Sequence, residues 1–129
     1  MEMTMARTLT RVLAVAGAIA LTTATAFAHP VVKTSNPADG AVMTEAPKEI
    51  RMTFSESLVP KFSGLTVKDV NGRVVATGKT GKMVSADDKK QLVIPLTETL
   101  KPGAYKVEWH AVSTDTHRVK GQYAFTVKG

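Results

Sequence analysis

Apolar and polar residues alternate with a period of two in several short stretches of this chain, and no stretch shows a convincing helical period. The stretch EIRMTF places Ile50, Met52 and Phe54 on one face of an extended strand. AYKVEWHAVS and GQYAFTVKG repeat the alternation further along. Strands with one apolar face are typical of antiparallel sheets that cover a core. The apolar faces of the predicted strands supply the expected core, which consists of Ile50, Met52, Phe54, Leu65, Val67, Leu92, Val107, Trp109, Phe125 and Val127.

Turn-forming residues separate these strands at short intervals. Asn71-Gly72 lies between two β-branched runs and predicts a hairpin, because both residues tolerate positive φ. Pro95 in the run QLVIPL predicts an edge strand or a bulge, since proline cannot donate to a ladder. The clusters SNPADGA, EAPKE, SADDKK and LKPGA mark further turns. About seven short strands in roughly 100 residues predict an all-β fold, an antiparallel β-sandwich or Greek-key barrel of immunoglobulin-like size.

The first 28 residues have the pattern of a signal peptide. Arg7 and Arg11 precede an uncharged apolar run that ends in AFA, a small-x-small cleavage pattern. A membrane anchor is disfavoured, because the run falls short of the roughly 20 strongly apolar residues of a spanning helix and no basic cluster follows it. We therefore expect export, cleavage after Ala28 and a single domain over residues 29–129.

Composition excludes several kinds of function. The chain of 129 residues has a net charge of +6, and without the predicted leader it carries 15 Lys and Arg against 10 Asp and Glu. These basic residues are scattered, and only one Trp and two Tyr accompany them, whereas nucleic-acid binding needs a basic stripe with aromatic residues. Cysteine is absent, so neither a disulfide nor a thiolate metal site can form.

Cleavage after Ala28 would make His29 the first residue of the protein. Its α-amine and its imidazole Nδ1 could then close a chelate on one metal ion. An internal histidine cannot do this, because its amide nitrogen is a poor ligand. Pro30 has no N–H, so the chelate stops at His29 and its remaining ligands must come from elsewhere in the fold.

The stretch STDTHRVKG carries the second half of a candidate metal site. Asp115 and His117 are two residues apart, so they point the same way in an extended chain. Together with His29 they offer three nitrogens and one carboxylate oxygen, a set that suits tetragonal Cu(II). Zn(II) could use the same set tetrahedrally. Copper has the higher intrinsic affinity for such ligands, so one Cu(II) per chain is the favoured interpretation.

Other candidate residues fit metal or catalytic chemistry less well. Strand alternation puts His110 on the outer face of its strand, where we expect a solvated or locally hydrogen-bonded side chain. Ser113 with Asp115 and His117 superficially resembles a hydrolase set. That spacing is too tight for one loop to provide a nucleophile, a base and an orienting group. The sequence has no glycine-rich phosphate loop.

Four features carry a resemblance to a known family: His29 directly after the predicted leader, then SNPADGA, PKEIRMTFSE and WHAVSTDTHRVKGQYAFTV. Across nearly the whole predicted domain the sequence resembles the CopC-type periplasmic copper-resistance proteins. The resemblance implies a β-sandwich that binds one Cu(II) through an N-terminal histidine, an aspartate and a second histidine, which by position are His29, Asp115 and His117. It also implies a role in copper tolerance or uptake, beside an inner-membrane partner that receives the metal.

One stretch departs from the family pattern. Some members hold Cu(I) in a methionine-rich loop after the FSE strand, whereas SLVPKFSGLTVKD contains neither methionine nor histidine. Met43, Met52 and Met83 are too scattered to form a thioether cluster, and we expect packing or surface roles for them. The sequence therefore predicts a single Cu(II) site without a second site for Cu(I).

Four strong donors favour tight holding of copper over turnover. The leading interpretation is a monomeric copper carrier or buffer that acts in resistance, homeostasis or uptake and is not an enzyme. A copper monooxygenase with an N-terminal histidine is the alternative, although Asp115 would then occupy a position that oxygen activation needs open. A metal-free interaction module is a third interpretation. In a chain that retains the leader the nitrogen of His29 is an amide, so we expect His29 to be displaced from the other two ligands.

Overall fold

The computed structural model describes residues 29–129, which form eight β-strands and one short 3-10 helix. The stretches with the clearest alternation in the sequence form the longest strands. The strands are β1 (Val32–Asn36), β2 (Val42–Met43), β3 (Glu49–Phe54), β4 (Gly64–Asp69), β5 (Val74–Thr77), β6 (Gln91–Pro95), β7 (Gly103–Val112) and β8 (Arg118–Val127), with the 3-10 helix at Pro60–Phe62. Within this part of the chain, no helix has the length and apolarity needed to span a bilayer. The predicted leader lies outside the described residues.

Two sheets form a sandwich, as the sequence predicts. One sheet has the order β1-β3-β6 and the other has the order β2-β8-β7-β4-β5. In the described chain the sheets remain separate, so the fold is the sandwich rather than the barrel. One pairing differs from the predicted antiparallel pattern, because β2 runs parallel to β8. The chain reaches that edge through a turn in which Gly40 N–H donates to the Ala124 carbonyl at 2.7 Å.

The predicted core is confirmed, and Trp109 is its one partly buried member. Nine of the ten predicted core side chains are buried, and Trp109 packs against the core from its margin. Its indole lies edge-on to the Phe54 ring at a centroid distance of 5.3 Å. Indole Cζ2 lies 2.6 Å from where a Cβ would stand on Gly121, the residue paired with Trp109. Because only glycine leaves room there, the indole lies flat across the strand instead of entering the core.

The predicted hairpin and edge strand are also present. Strands β4 and β5 pair antiparallel around the Asn71-Gly72 turn, in which Gly72 has φ +78°. The Asp69 carboxylate accepts hydrogen bonds from the N–H groups of Asn71 and Arg73, each at 3.0 Å, and so fixes the turn. Pro95 ends β6, which lies at the edge of its sheet where the missing N–H breaks no ladder bond.

Strand direction brings the two halves of the candidate site to one end of the sandwich. Val112 at the end of β7 pairs with Arg118 at the start of β8, so the connection between them lies at this end. Val32 at the start of β1 pairs with Phe54, the last residue of β3. The Phe54–Leu58 region in turn bonds to the β7–β8 connection, so His29 enters the fold at the same end.

Candidate metal centre

The loop between β7 and β8 is a tight turn that holds the side chains of Asp115 and His117 partly exposed. Ser113 N–H donates to the His117 carbonyl at 2.9 Å, and Thr116 N–H donates to the Ser113 carbonyl at 2.9 Å. Thr116 adopts φ +74°, a conformation that is rare for a β-branched residue. The turn therefore closes over few residues and leaves Asp115 and His117 side by side.

The Asp115 carboxylate is held from two sides. Its Oδ1 accepts a hydrogen bond from the Ser113 hydroxyl, and its Oδ2 lies 3.1 Å from His117 Nδ1. Ser113 is only 1% exposed, so its hydroxyl has a fixed position. The Ser113 bond first, and the His117 contact second, hold the pKa of the Asp115 carboxyl below its usual value. The Asp115 carboxyl is therefore ionised at neutral pH.

The segment that carries His29 is fastened to the end of β3. Val31 N–H donates to the Ser55 hydroxyl at 2.9 Å, and Ser55 N–H donates to the Val31 carbonyl at 2.8 Å. Pro30 is buried although both of its neighbours in the chain are exposed. These contacts direct the His29 segment along the sandwich end instead of into solvent.

The same stretch after β3 also holds the β7–β8 loop. Thr114 N–H donates to the Ser57 carbonyl at 3.0 Å, and Val59 N–H donates to the Val112 carbonyl at 2.7 Å. Between these bonds, Leu58 forms a β-bridge with Ser113 and is 1% exposed. We call the Ser55–Val59 stretch the clamp segment. It hydrogen-bonds to both halves of the candidate site, and its buried Leu58 side chain holds it against the core.

As a result, the three predicted ligands are neighbours in space although 88 positions separate His29 from His117 in the chain. The rings of His29 and His117 meet edge to face with centroids 4.6 Å apart, and His117 also contacts Asp115. The expected displacement of His29 in a chain that retains the leader is therefore wrong for its contact with His117. The contacts are pairwise. Within residues 29–129 no group of three or more His, Cys, Asp or Glu side chains has its donors arranged around one ion position. Asp115 directs an oxygen at His117 Nδ1 instead of at a point shared by all three.

The remaining predicted candidates lie elsewhere. His110 is exposed on the outer face of the five-stranded sheet, opposite Gly64 in the register. Met52 is fully buried in the core. Met83 is buried against Gly64 and Gly78, where its side chain lies within 3.0 Å of the position that a Cβ on either glycine would take. The packing role expected for these methionines is confirmed.

Sequence reasoning missed the residues that position the ligands. Ser55 and Ser57 lie in a stretch without periodicity, so nothing marked it as a support for two distant segments. Ser113 was considered only as a nucleophile. The available signal was only the general tendency of serine and aspartate side chains in loops to make local hydrogen bonds.

Comparisons with known proteins identify the family of this chain. The CopC domain family matches residues 32–128. The chain is 44% identical over 108 residues to copper resistance protein C of Escherichia coli, covering 80% of this chain and 84% of that protein.

Two solved structures of copper resistance proteins also resemble this chain. The crystal structure of CopC from Methylosinus trichosporium OB3b superposes with a TM-score of 0.70 at 28% identity, covering 78% of this chain and 94% of that one. PcoC, a methionine-rich copper resistance protein from Escherichia coli, superposes with a TM-score of 0.63 at 40% identity, covering 78% and 100%. The family match begins at Val32, so it spans both sheets and the β7–β8 loop but leaves out His29, and this chain belongs to the CopC family of copper-binding resistance proteins.

Proposed function

We propose that the chain, once cut after Ala28, holds one Cu(II) ion through the amine and imidazole of His29, the carboxylate of Asp115 and the imidazole of His117. In this proposal it acts in the periplasm as a carrier or buffer of copper. The single observation that carries the proposal is the contact between the rings of His29 and His117 at 4.6 Å, beside an aspartate held in its anionic form.

The donor set supports copper in its oxidised state. Two imidazoles, one amine and one carboxylate are the nitrogen and oxygen donors that tetragonal Cu(II) prefers. Within residues 29–129 the soft sulfur ligands that select Cu(I) lie away from this site, because Met52 and Met83 are buried in packing contacts and Met43 pairs with Val127 at the far end of β8. The site therefore supports Cu(II) binding without a change of oxidation state.

Cleavage supplies the donor that the full chain lacks. In the chain of 129 residues the nitrogen of His29 belongs to a peptide bond, and its lone pair is delocalised into the carbonyl. Release of the amine adds a fourth donor on the same residue as the imidazole. His29 would then turn about its anchored neighbour Val31, and copper would draw Asp115 away from its present contact with His117.

Filling the copper plane with four protein donors favours storage and transfer over catalysis. The Asp115 oxygen occupies the position that an oxygen-activating enzyme leaves open. A monomeric carrier also needs to release its ion, and we propose that a copper transporter of the inner membrane receives it. The short loop and the single chelating residue leave the ion at the surface, where such a partner can reach it.

The test is to add one alanine before His29. The extended protein keeps every side chain but converts the amine into an amide. Loss of an outer-shell partner typically weakens metal binding about 10–100-fold, so loss of a direct ligand should weaken Cu(II) binding by more than about 100-fold. Affinity is measured by competition with a copper chelator of known strength, using the quenching of Trp109 fluorescence.

A matched control carries the extra alanine after Gly129. This variant has the same composition and should bind copper as the cleaved protein does. Equal affinity of the two extended proteins would remove the amine from the site. Failure of the cleaved protein itself to bind Cu(II) would refute the proposed function.

A further inference from the structure

A cation and an exposed aromatic ring lie beside the proposed copper ligands. Arg118 follows His117 directly, so their Cα atoms are about 3.8 Å apart. The Arg118 guanidinium lies over the ring of Phe62, with Cζ 5.9 Å from the ring centroid. Phe62 belongs to the 3-10 helix after the clamp segment and is 48% exposed. The side chain of Arg118 is thus directed onto a ring at the ligand end of the sandwich.

This contact leaves the hydrogen-bonding capacity of Arg118 uncommitted. In the described part of the chain no carboxylate lies within ion-pair distance of its guanidinium. A cation–π contact uses the face of the guanidinium and the ring quadrupole. The N–H donors lie in the guanidinium plane and match a carboxylate in a bidentate pair. An exposed ring that holds a guanidinium in place therefore prepares it to receive a carboxylate.

The charge beside the proposed ligands is mainly positive, with Glu56 of the clamp segment against the exposed Arg118, Lys120 and Lys61. One carboxylate and three neutral nitrogens around Cu(II) leave the loaded centre with a net positive charge. Lys120 is exposed on the same face of β8 as Arg118, two residues along, and Lys61 is exposed next to Phe62. The approach to the ligands is therefore favourable for an anion.

We propose that Arg118, held on Phe62, receives a carboxylate of an anionic copper chelate, so that the protein exchanges copper with carboxylate complexes faster than with neutral ones. The proposal rests on the copper function above and specifies the form in which copper arrives or leaves. The step is a ligand exchange: a histidine nitrogen forms a bond to Cu(II), one Cu–O bond breaks, and the released carboxylate pairs with the guanidinium. No oxidation state changes.

The experiment uses protein that begins at His29 and two copper complexes that share the same aminocarboxylate chemistry. Copper nitrilotriacetate carries one negative charge, and copper iminodiacetate is neutral. Stopped-flow quenching of Trp109 fluorescence gives the rate of transfer from each complex to wild type, Arg118→Gln, Phe62→Leu and Lys120→Gln. Lys120→Gln is the matched control, because it removes the same charge from the same face.

An exposed guanidinium–carboxylate pair and local steering are modest effects, so Arg118→Gln should slow transfer from nitrilotriacetate about three- to fivefold relative to iminodiacetate. Phe62→Leu should show part of this loss, and Lys120→Gln, which removes a steering charge but no group held on the ring, should lower the ratio clearly less than Arg118→Gln does. Added salt should reduce the preference for copper nitrilotriacetate over copper iminodiacetate more in wild type than in Arg118→Gln.

An unchanged ratio in Arg118→Gln would overturn the inference, and so would an equal loss in Lys120→Gln, which would indicate net charge alone. Both results leave the proposed function intact, because equilibrium binding by wild type is measured separately. Circular dichroism of each variant confirms that the exposed substitutions preserve the fold.

Discussion

The bond between the Ser55 hydroxyl and Val31 N–H gives a direct test of how the fold holds the His29 segment. Ser55→Ala removes that acceptor and leaves the reciprocal backbone bond, Ser55 N–H to the Val31 carbonyl, in place. The substitution is small and lies after the last residue of β3, so the sandwich should fold normally. We expect cleaved Ser55→Ala protein to bind Cu(II) more weakly than wild type.

The size of the loss follows from exposure. Val31 is 57% exposed, so water can replace the lost acceptor and no buried group is left without a partner. A net hydrogen bond of this kind contributes about 0.5–1.5 kcal/mol. If copper binds only when His29 is docked, apparent affinity falls with the docked fraction. The expected loss is therefore about two- to tenfold, far below that of the alanine extension.

Chelator competition at fixed pH and salt measures this loss. Ser57→Ala is the matched control, because Ser57 holds Thr114 through its backbone carbonyl and a substitution keeps that bond. Binding by Ser55→Ala that equals wild type would show that the hydroxyl does not hold the segment. A loss above about 50-fold would exceed what one exposed hydrogen bond can supply, and the assignment of Ser55 to a holding role would be wrong.

Two pH dependences are expected of the copper-free protein. The pKa of Asp115 is lowered by the Ser113 bond and then by His117, so the folded chain releases this proton more readily than the unfolded chain. The stability advantage of wild type over Asp115→Asn should thus be present near neutral pH and vanish as the pH falls through the lowered pKa, as followed by urea unfolding; a constant difference down to pH 2 would contradict this. Burial raises the pKa of Tyr123 to about 12 from 10.0. Its neutral form therefore stabilises the fold below pH 10, and wild type should lose about 2 kcal/mol relative to Tyr123→Phe between pH 10 and 12, whereas parallel profiles would show that the hydroxyl is not desolvated.

The sequence predicts the sandwich well because its strands bury one face each. Ile50, Met52 and Phe54 occupy the core as their period of two requires. The two-residue strand β2 could not be predicted, because two residues show no period and its parallel pairing depends on a turn in the preceding segment. Buried Met83 was also not placed, since only the bare glycines beneath it make room for its side chain.

The candidate site could also be predicted from the sequence only in part. Asp115 and His117 can be recognised because their spacing is local, and His29 because its chemistry depends on the leader before it. Their meeting could not be predicted from spacing, since it depends on the clamp segment, whose backbone bonds join residues that are far apart in sequence. Leu58 carries no motif, although its burial fixes both sides of the site.

The direction of β8 sets the orientation of this domain in any larger assembly. The strand starts at the proposed ligand end and runs to the opposite end, where the position that a Cβ on Gly129 would take lies 3.4 Å from Pro102 Cβ. A tether, a surface linkage or a second domain joined after this residue would hold the protein by its base and leave the metal end facing outward. Under the proposed copper function, attachment in front of His29 would remove the free amine, so a fusion partner should be joined after Gly129.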